Sequence, residues 1–426
     1  MTGDRLHRLR VVDVAGRDGV ARLGGRVVFV PFTVPGDTAL VRITRETKAY
    51  SHGRVVELLE GGEGRVEPAC EYFGRCGGCD WLHIAHPVQL RLKGKLTSDL
   101  ARKNARLDIE SPPVEPSEPL GHRAIARLQV ALEGGVPELG YYVRGSHELV
   151  TWDACPLLME PLNAAVGAVR GIFRTKVNRD WSGLFELTVE RAAGGWALTL
   201  GFDRGTPPGT DWSALAGELP GLVALRVKGN NFSSAAWGGE RFETGSLCAA
   251  FSKTPGVFRQ PNDAGARWLH ARMTMLCGEL KPGVVWDLYG GGGLLGSAAL
   301  AGGSRLWLVE ADPLGAADAE ANLSRSGGDF RVKAGTVEAA LAEGPPEPFG
   351  GPELVILDPP RTGIACGVTE ALLALKPPRI AYVSCNPARF WRDAARLIRG
   401  GYGLAGLTAF DMLPQTPGLE LVGIFR

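Results

Sequence analysis

The sequence predicts a multidomain α/β protein: an N-terminal all-β barrel, a mixed α+β middle part and a C-terminal doubly wound sheet. Three observations carry this. Short β-branched runs separated by turns fill the first sixty residues, cysteines crowd just behind them, and from Gln260 onward apolar strand and helix patterns alternate. With 426 residues, 45% of them apolar, the chain can build several cores rather than one. The expected boundaries are 1–62, 63–255 and 256–426.

In the first part, Arg10–Val14, Arg26–Val30, Ala39–Ile43 and Gly53–Leu58 read as strands, with Gly24-Gly25 and Pro35-Gly36-Asp37 as turns. This part carries ten Lys and Arg against seven Asp and Glu, an excess too small to decide anything alone. Gly61–Glu67 reads as a linker. Residues 112–255 mix strands and turns, with a helix expected over Pro161–Phe173 and a Gly/Pro-rich stretch from Gly205 to Gly209. In the last part, helices are expected over Ala264–Leu280, Leu294–Leu300 and Leu314–Leu323. Strands are expected at Val284–Leu288, Leu306–Val309, Leu354–Leu357, Ile380–Val383, Leu404–Leu407 and Leu419–Phe425. Such alternation gives a Rossmann-like parallel sheet with helices on both faces.

Met1–Arg10 is charged and lacks an apolar run, and no stretch approaches a membrane span, so a cytoplasmic protein without membrane contact is expected. No obligate protein partner is implied. The net charge is +1, so any surface for nucleic-acid phosphates must be a local basic face. Without an export signal, the eight cysteines read as metal ligands plus free thiols rather than disulfides.

Cys70, Cys76 and Cys79 stand in CxxxxxCxxC spacing, and Cys155 follows far downstream in Asp153-Ala-Cys-Pro156. Four thiolates satisfy either one iron–sulfur cluster or one tetrahedral zinc. Gly77 and Gly78 allow a tight turn and leave room for more than a single ion. Asp287-Leu-Tyr-Gly-Gly-Gly-Gly-Leu294 leaves a strand and opens a helix, as nucleotide sites require, but its glycine density fits NAD as well as other nucleotides. Glu310, at the next strand end, suits ribose hydroxyls in either case. Asp358-Pro-Pro-Arg361 and Cys385 also follow strands, at the edge where open α/β sheets bind ligands. A lone cysteine is most often buried and inert. On these residues alone an exocyclic-amine methyltransferase, an NAD-linked redox protein and a non-catalytic RNA-binding protein all remain open.

The ordered set of motifs resembles the S-adenosylmethionine-dependent RNA (uracil-5-)-methyltransferases, in particular their iron–sulfur-containing 23S rRNA branch. Gly19–Pro31 with Thr33–Asp37 is similar to the TRAM domain, an OB-like RNA-binding barrel, and the cysteine block is similar to that branch's [4Fe-4S] site. Phe258-Arg-Gln-Pro-Asn262 is similar to the family's FxQxN segment, Asp358–Arg361 to its DPPR motif, and Asp411–Glu420 to its DMFPxTxHVE ending. The resemblance implies Cys385 as nucleophile, Glu420 as base, and Gln260, Tyr289, Glu310 and Asp358 as contacts to S-adenosyl-L-methionine. It further implies Cys70, Cys76, Cys79 and Cys155 as cluster ligands, and structured RNA, 23S rRNA above all, as partner; related enzymes act on tRNA. The implied chemistry explains the cysteine. Carbon 5 of uracil is too weakly nucleophilic to attack a sulfonium until a thiolate adds to carbon 6, and a base must then remove the carbon-5 hydrogen. The uridine must leave its stack to be reached. Two positions depart from the pattern: Gly418 where the family commonly has histidine, and Gly290 where it commonly has cysteine.

Overall fold

The computed structural model describes residues 6–175, 180–203, 211–229, 232–245 and 251–426. The Gly205–Gly209 stretch lies outside these. Strands β1 (Leu6–Ala15), β2 (Asp18–Leu23), β3 (Arg26–Pro31), β4 (Thr38–Glu46) and β5 (Tyr50–Glu60) close a barrel in the order β1-β2-β3-β5-β4. Alternating apolar residues aim Leu9, Ala21, Val28, Val30, Ala39 and Val41 into its core. β2, absent from the four runs expected as strands, pairs with both β1 and β3.

Helix α1 (His86–Leu100) continues through a short π-turn, Ala101–Ala105, towards β6 (Val114–Glu115). The middle part follows with β7 (Ile125–Glu133), β8 (Val136–Tyr142), β9 (Leu149–Thr151), α2 (Glu160–Thr175), β10 (Leu184–Ala192) and β11 (Gly195–Phe202). It ends with α3 (Trp212–Gly217), β12 (Leu222–Gly229), β13 (Phe232–Gly238) and a hairpin of β14 (Phe242–Glu243) and β15 (Ser252–Lys253). Seven of these strands form one sheet, ordered β13-β12-β11-β10-β7-β8-β9. Helix α2 covers it, burying Leu162, Val166, Val169 and Phe173 along one face at helical spacing.

The last part runs α4 (Asp263–Leu280), β16 (Val284–Leu288), α5 (Leu294–Ala301), β17 (Arg305–Glu310), α6 (Pro313–Ser326), β18 (Phe330–Ala334) and α7 (Val337–Glu343). It continues through β19 (Leu354–Leu357), α8 (Cys366–Leu375), β20 (Ile380–Ser384), α9 (Pro387–Arg399), β21 (Leu404–Phe410) and β22 (Glu420–Phe425). Its sheet is ordered β18-β17-β16-β19-β20-β22-β21-β6. β16 to β20 are parallel, and β22 is antiparallel to both β20 and β21. β16, β19 and β20 are buried at every position and, apart from Asp287 and Ser384, carry apolar side chains on both faces rather than alternating ones.

The edge strand of this sheet departs from the expected partition. β6 pairs parallel to β21, Ala409 with Val114 and Phe410 with Glu115, and Ala101 and Val114 share a core with Trp286, Tyr382 and Phe390. The segment 86–115, expected within the middle part, is thus built into the C-terminal sheet. The reason is apolar: Leu90, Leu100, Leu107 and Ile109 also pack on that core. Among the described residues no helix is long and apolar enough to cross a membrane.

Candidate active site

Because β16, β17, β19 and β20 are parallel, their C-terminal ends share one edge, and most of the expected site residues meet there. Gly290–Gly293 turn the chain from β16 into α5. Gly290 N donates to Val309 O at 3.0 Å, Gly293 N donates to Gly290 O at 2.9 Å, and Gly293 caps α5 with φ of 86°, a left-handed value that favours glycine. A Cβ at Gly290 would meet the Leu308 side chain at 2.5 Å, so the missing side chain is matched by close packing against β17. Glu310 braces the same turn, its Oε2 accepting from Gly291 N at 2.8 Å and its Oε1 from Asp312 N at 2.7 Å.

Two more carboxyls stand beside it. Asp287, buried in β16, accepts from Gly296 N at 2.8 Å through Oδ2, while its Oδ1 has no hydrogen-bond partner. Burial pushes Asp287 up to about 7, and the charges of Asp358 and Glu310 add to the effect. Asp358, just past β19, accepts from Gln260 Nε2 at 3.4 Å and is likewise raised by burial and then by Glu310. Three carboxyls thus lie in one another's field at this edge, and burial with mutual repulsion resists ionisation of Asp287 and Asp358. Tyr289 takes a left-handed φ of 67° and is half-buried. Burial pushes its phenol up to about 12, helped by Glu338 and opposed by the backbone at Ala365, which engages the hydroxyl.

Ser384-Cys385-Asn386-Pro387 is a strand-to-helix turn whose local chemistry explains its sequence. Asn386 caps α9 by accepting from Arg389 N at 3.3 Å, and Pro387 opens the helix where no amide donor is needed. Asn386 Nδ2 also donates to Arg361 O at 3.1 Å, joining the Asp358–Arg361 turn to the cysteine turn. In the β20–β22 register Ser384 faces Leu421, so the next antiparallel position sets Cys385 beside Glu420. Glu420 is 1% exposed and neither carboxyl oxygen has a hydrogen-bond partner. Burial holds it well above the carboxylate range, the Asp358 charge adds, and Arg361 opposes. The Cys385 thiol is pushed up to about 11 by burial first, then by Glu420, with Arg361 again opposing.

This thiol should therefore be slow to alkylate. Iodoacetamide labelling of Cys385, followed by peptide mass spectrometry, is expected to rise about tenfold per pH unit between pH 8 and 10, with no plateau near the ordinary thiol value of about 8.5. A plateau there would mean that the burial and charge described above do not govern the group.

The seat of Glu420 does not use a side chain at position 418. Gly418 N donates to Thr416 Oγ1 at 3.0 Å, Thr416 Oγ1 donates to Leu413 O at 2.8 Å, and a Cβ at Gly418 would approach both residues within 3.0 Å. Two contributors escaped the motif reading. Asp287 carries a buried carboxyl oxygen without a partner. Asn262 caps α4 by accepting from Ala264 N at 3.0 Å and donates to Ser117 Oγ at 3.0 Å and Met412 O at 3.3 Å, which ties the tail before Glu420 to the Gln260 segment. An asparagine directly before a helical pattern is the available signal for such a cap.

Away from this edge, Cys70, Cys76, Cys79 and Cys155 line one cavity together with Arg123, Tyr141 and Trp152. Burial raises the Cys76, Cys79 and Cys155 thiols, Cys79 to about 12; neighbouring thiols add to this and Arg123 opposes it. Gly77 is required by close approach, since a Cβ there would meet Tyr142 O at 2.7 Å. Among the described residues no three His, Cys, Asp or Glu side chains converge on a single metal ion. Arg123 Nε, Tyr141 Oη and Trp152 Nε1 are buried donors without acceptors at this cavity.

A family model for the TRAM domain matches residues 13–56. The chain is 31% identical to an uncharacterized RNA methyltransferase of Gloeobacter violaceus, over 96% of this chain and 93% of that protein. It is also 31% identical to the 23S rRNA (uracil(1939)-C(5))-methyltransferase RlmD of Shewanella amazonensis, over 96% and 92% of the two chains. Among solved structures, the tRNA (uracil-54, C5)-methyltransferase of Pyrococcus abyssi, in complex with S-adenosyl-L-homocysteine, superposes over 100% of both chains with a TM-score of 0.74 at 22% identity, which establishes the shared fold.

Proposed function

The chain belongs to the uracil-C5 RNA methyltransferase family, and from that premise we propose that it makes 5-methyluridine in 23S rRNA, in the cytoplasm, through a covalent adduct between Cys385 and carbon 6. The observation that carries this is the register of β20 and β22, which sets a thiol beside a buried carboxyl at the sheet edge shared with Asp358 and Glu310. S-adenosylmethionine supplies an electrophilic methyl group on a cationic sulfur. Gln260, Glu310 and Asp358, with Asp287 behind them, are the groups that would hold it.

Glu420 raises the cost of ionising Cys385, and burial with the Asp358 charge holds Glu420 itself towards the protonated form. In the attacking state the sulfur holds the negative charge and Glu420 keeps its proton. The sulfur adds to carbon 6, and the double-bond electrons move towards carbon 5, which takes the methyl group. Bonded sulfur is neutral, which frees Glu420 to lose its proton to solvent. Its carboxylate then takes the carbon-5 proton, the carbon–sulfur bond breaks, and thiolate and protonated Glu420 are restored. One proton is released per turnover, as the overall reaction requires.

The four-cysteine cavity suits a [4Fe-4S] cluster better than zinc. Either group needs four thiolates around one centre, and Cys70, Cys76, Cys79 and Cys155 line this one cavity. A cluster also offers sulfide acceptors to the three unpartnered donors. Anaerobically purified protein is expected to hold about four iron atoms per chain, with broad visible absorbance, and Cys79→Ser to lose both. Zinc in place of iron would overturn this reading.

The experiment for the whole proposal is transfer of labelled methyl from S-adenosylmethionine to unmodified 23S rRNA and tRNA, followed by nucleoside analysis. Label in 5-methyluridine from 23S rRNA is the expected result. Label confined to tRNA would replace the substrate, and label on an exocyclic amine would replace the chemistry.

A further inference from the structure

Helix α1 docks on the tail that leads to Glu420 through polar side chains. Gln89 and Lys93 lie four residues apart on its buried face, and they meet Asp411 and Gln415, also four apart. Lys93 Nζ pairs with Asp411 and donates to Leu413 O at 3.2 Å, while His86 Nε2 lies 2.8 Å from Asp411 Oδ2. Gln89 and Gln415 form a reciprocal pair: Gln415 N donates to Gln89 Oε1 at 3.0 Å, and Gln89 Nε2 donates to Gln415 Oε1 at 2.8 Å.

The same pair reaches the cysteine loop. Gln415 O accepts from Asp80 N at 3.0 Å and Trp81 N at 2.9 Å, the two residues directly after Cys79. Gln89 Nε2 also faces Trp81 O at 3.2 Å and Ile84 O at 2.7 Å. Asp80 in turn accepts from Arg17 Nε of the barrel at 2.7 Å. Gln415 has a left-handed φ of 66°, and its Nε2 donates to Pro119 O at 3.1 Å. A buried, mutually satisfied network of this kind has one low-energy arrangement, because shifting any member leaves others without partners.

We propose that Gln89 and Gln415 form a latch by which the loop after Cys79 sets the position of Glu420, five residues beyond Gln415. Both are positioning residues. The inference rests on the reading of Cys385 as nucleophile and Glu420 as base, and it makes the latch matter at one step, removal of the carbon-5 proton. Loosening it slows breakdown of the adduct more than its formation.

The test uses the full-length holoenzyme with Gln89→Ala, and Gln89→Met, which keeps the volume without the amide. Expected for both are turnover reduced at least tenfold, KM for RNA within twofold of wild type, first-turnover methyl transfer within threefold, and an enzyme–RNA adduct that survives detergent. Iron content is expected to stay unchanged. The Asp80 and Trp81 amides, which donate to Gln415, are expected to exchange hydrogen faster. Unchanged turnover overturns the latch, as does a parallel fall of first and later turnovers without adduct. If Gln89→Ala loses its fold by circular dichroism, Gln89→Met is judged by the same readouts, and loss of fold in both overturns a role confined to positioning. Failure of the underlying reading shows separately, as a wild-type enzyme that yields no Cys385-dependent 5-methyluridine.

Discussion

Replacing Cys385 with alanine is expected to abolish methyl transfer, a loss on the order of 10⁴-fold or more, as removal of an essential nucleophile produces. Nothing else at the edge can take its place. The charged neighbours are Glu420 and Asp358, both buried carboxyls, and Arg361, a cation, and none of them serves as a nucleophile that adds to carbon 6 and leaves again. The fold should survive, because the turn around Cys385 is held by the Asn386 cap and its bond to Arg361 rather than by the thiol. The measurement is label incorporation into RNA by wild type and variant at matched circular dichroism. Retention of even one hundredth of the activity would remove Cys385 from the mechanism and revive amine methylation, in which Asp358 contacts the substrate.

Glu420→Gln is expected to trap the reaction midway. Turnover should fall by about 10²- to 10⁴-fold, the usual contribution of a positioned base, while the first methyl transfer proceeds and the RNA stays bonded to Cys385. Glutamine matches the shape of the protonated carboxyl and removes the charge that raises the thiol, so attack by sulfur is not slowed. Detergent-resistant adduct on a gel, absent in the Cys385→Ala, Glu420→Gln double variant, is the check; wild-type turnover by Glu420→Gln would dismiss Glu420 as the base. The same substitution has a stability signature. The folded-state value of Glu420 is raised, so its contribution to stability is fully present below the unfolded value and is lost as pH rises towards the folded one. Glutamine escapes that loss, and the thermal midpoint of the variant is expected to gain on wild type from about pH 4 upward.

The central strands of the C-terminal part were legible because they are buried on both faces. Val284–Leu288 and Leu354–Leu357 fall where their apolar runs place them. The bounds of α4 differ from expectation by one residue. Legible for the same reason was the shared edge of Asp358 and Cys385, since both follow parallel strands. What escaped reading was polar. Helix α1 buries Gln89, Lys93, Thr97 and Ser98 on the face where a pattern search expects leucines, so it carries little helical apolar signature. The pairing of Cys385 with Glu420 was equally hidden, because the antiparallel register of β20 against β22 is a property of two strands separated by α9 and β21 and not of either motif. Helices α7, α8 and α9 went unlisted among the expected elements; α9 spaces Phe390, Trp391, Ala394 and Leu397 between arginines, a pattern that was available to be read.

The two-residue strand β6 carries a consequence for how the molecule comes into being. During synthesis, residues 86–115 emerge long before the sheet they complete, and they must remain without their partner until β21 has been made nearly three hundred residues later. Conversely, a fragment starting at residue 256 would present β21 as a bare edge and leave Trp286 and Tyr382 in a core that lacks Ala101 and Val114. The C-terminal sheet is thus completed by sequence that precedes it, and the last part of the chain alone lacks one edge of its own sheet.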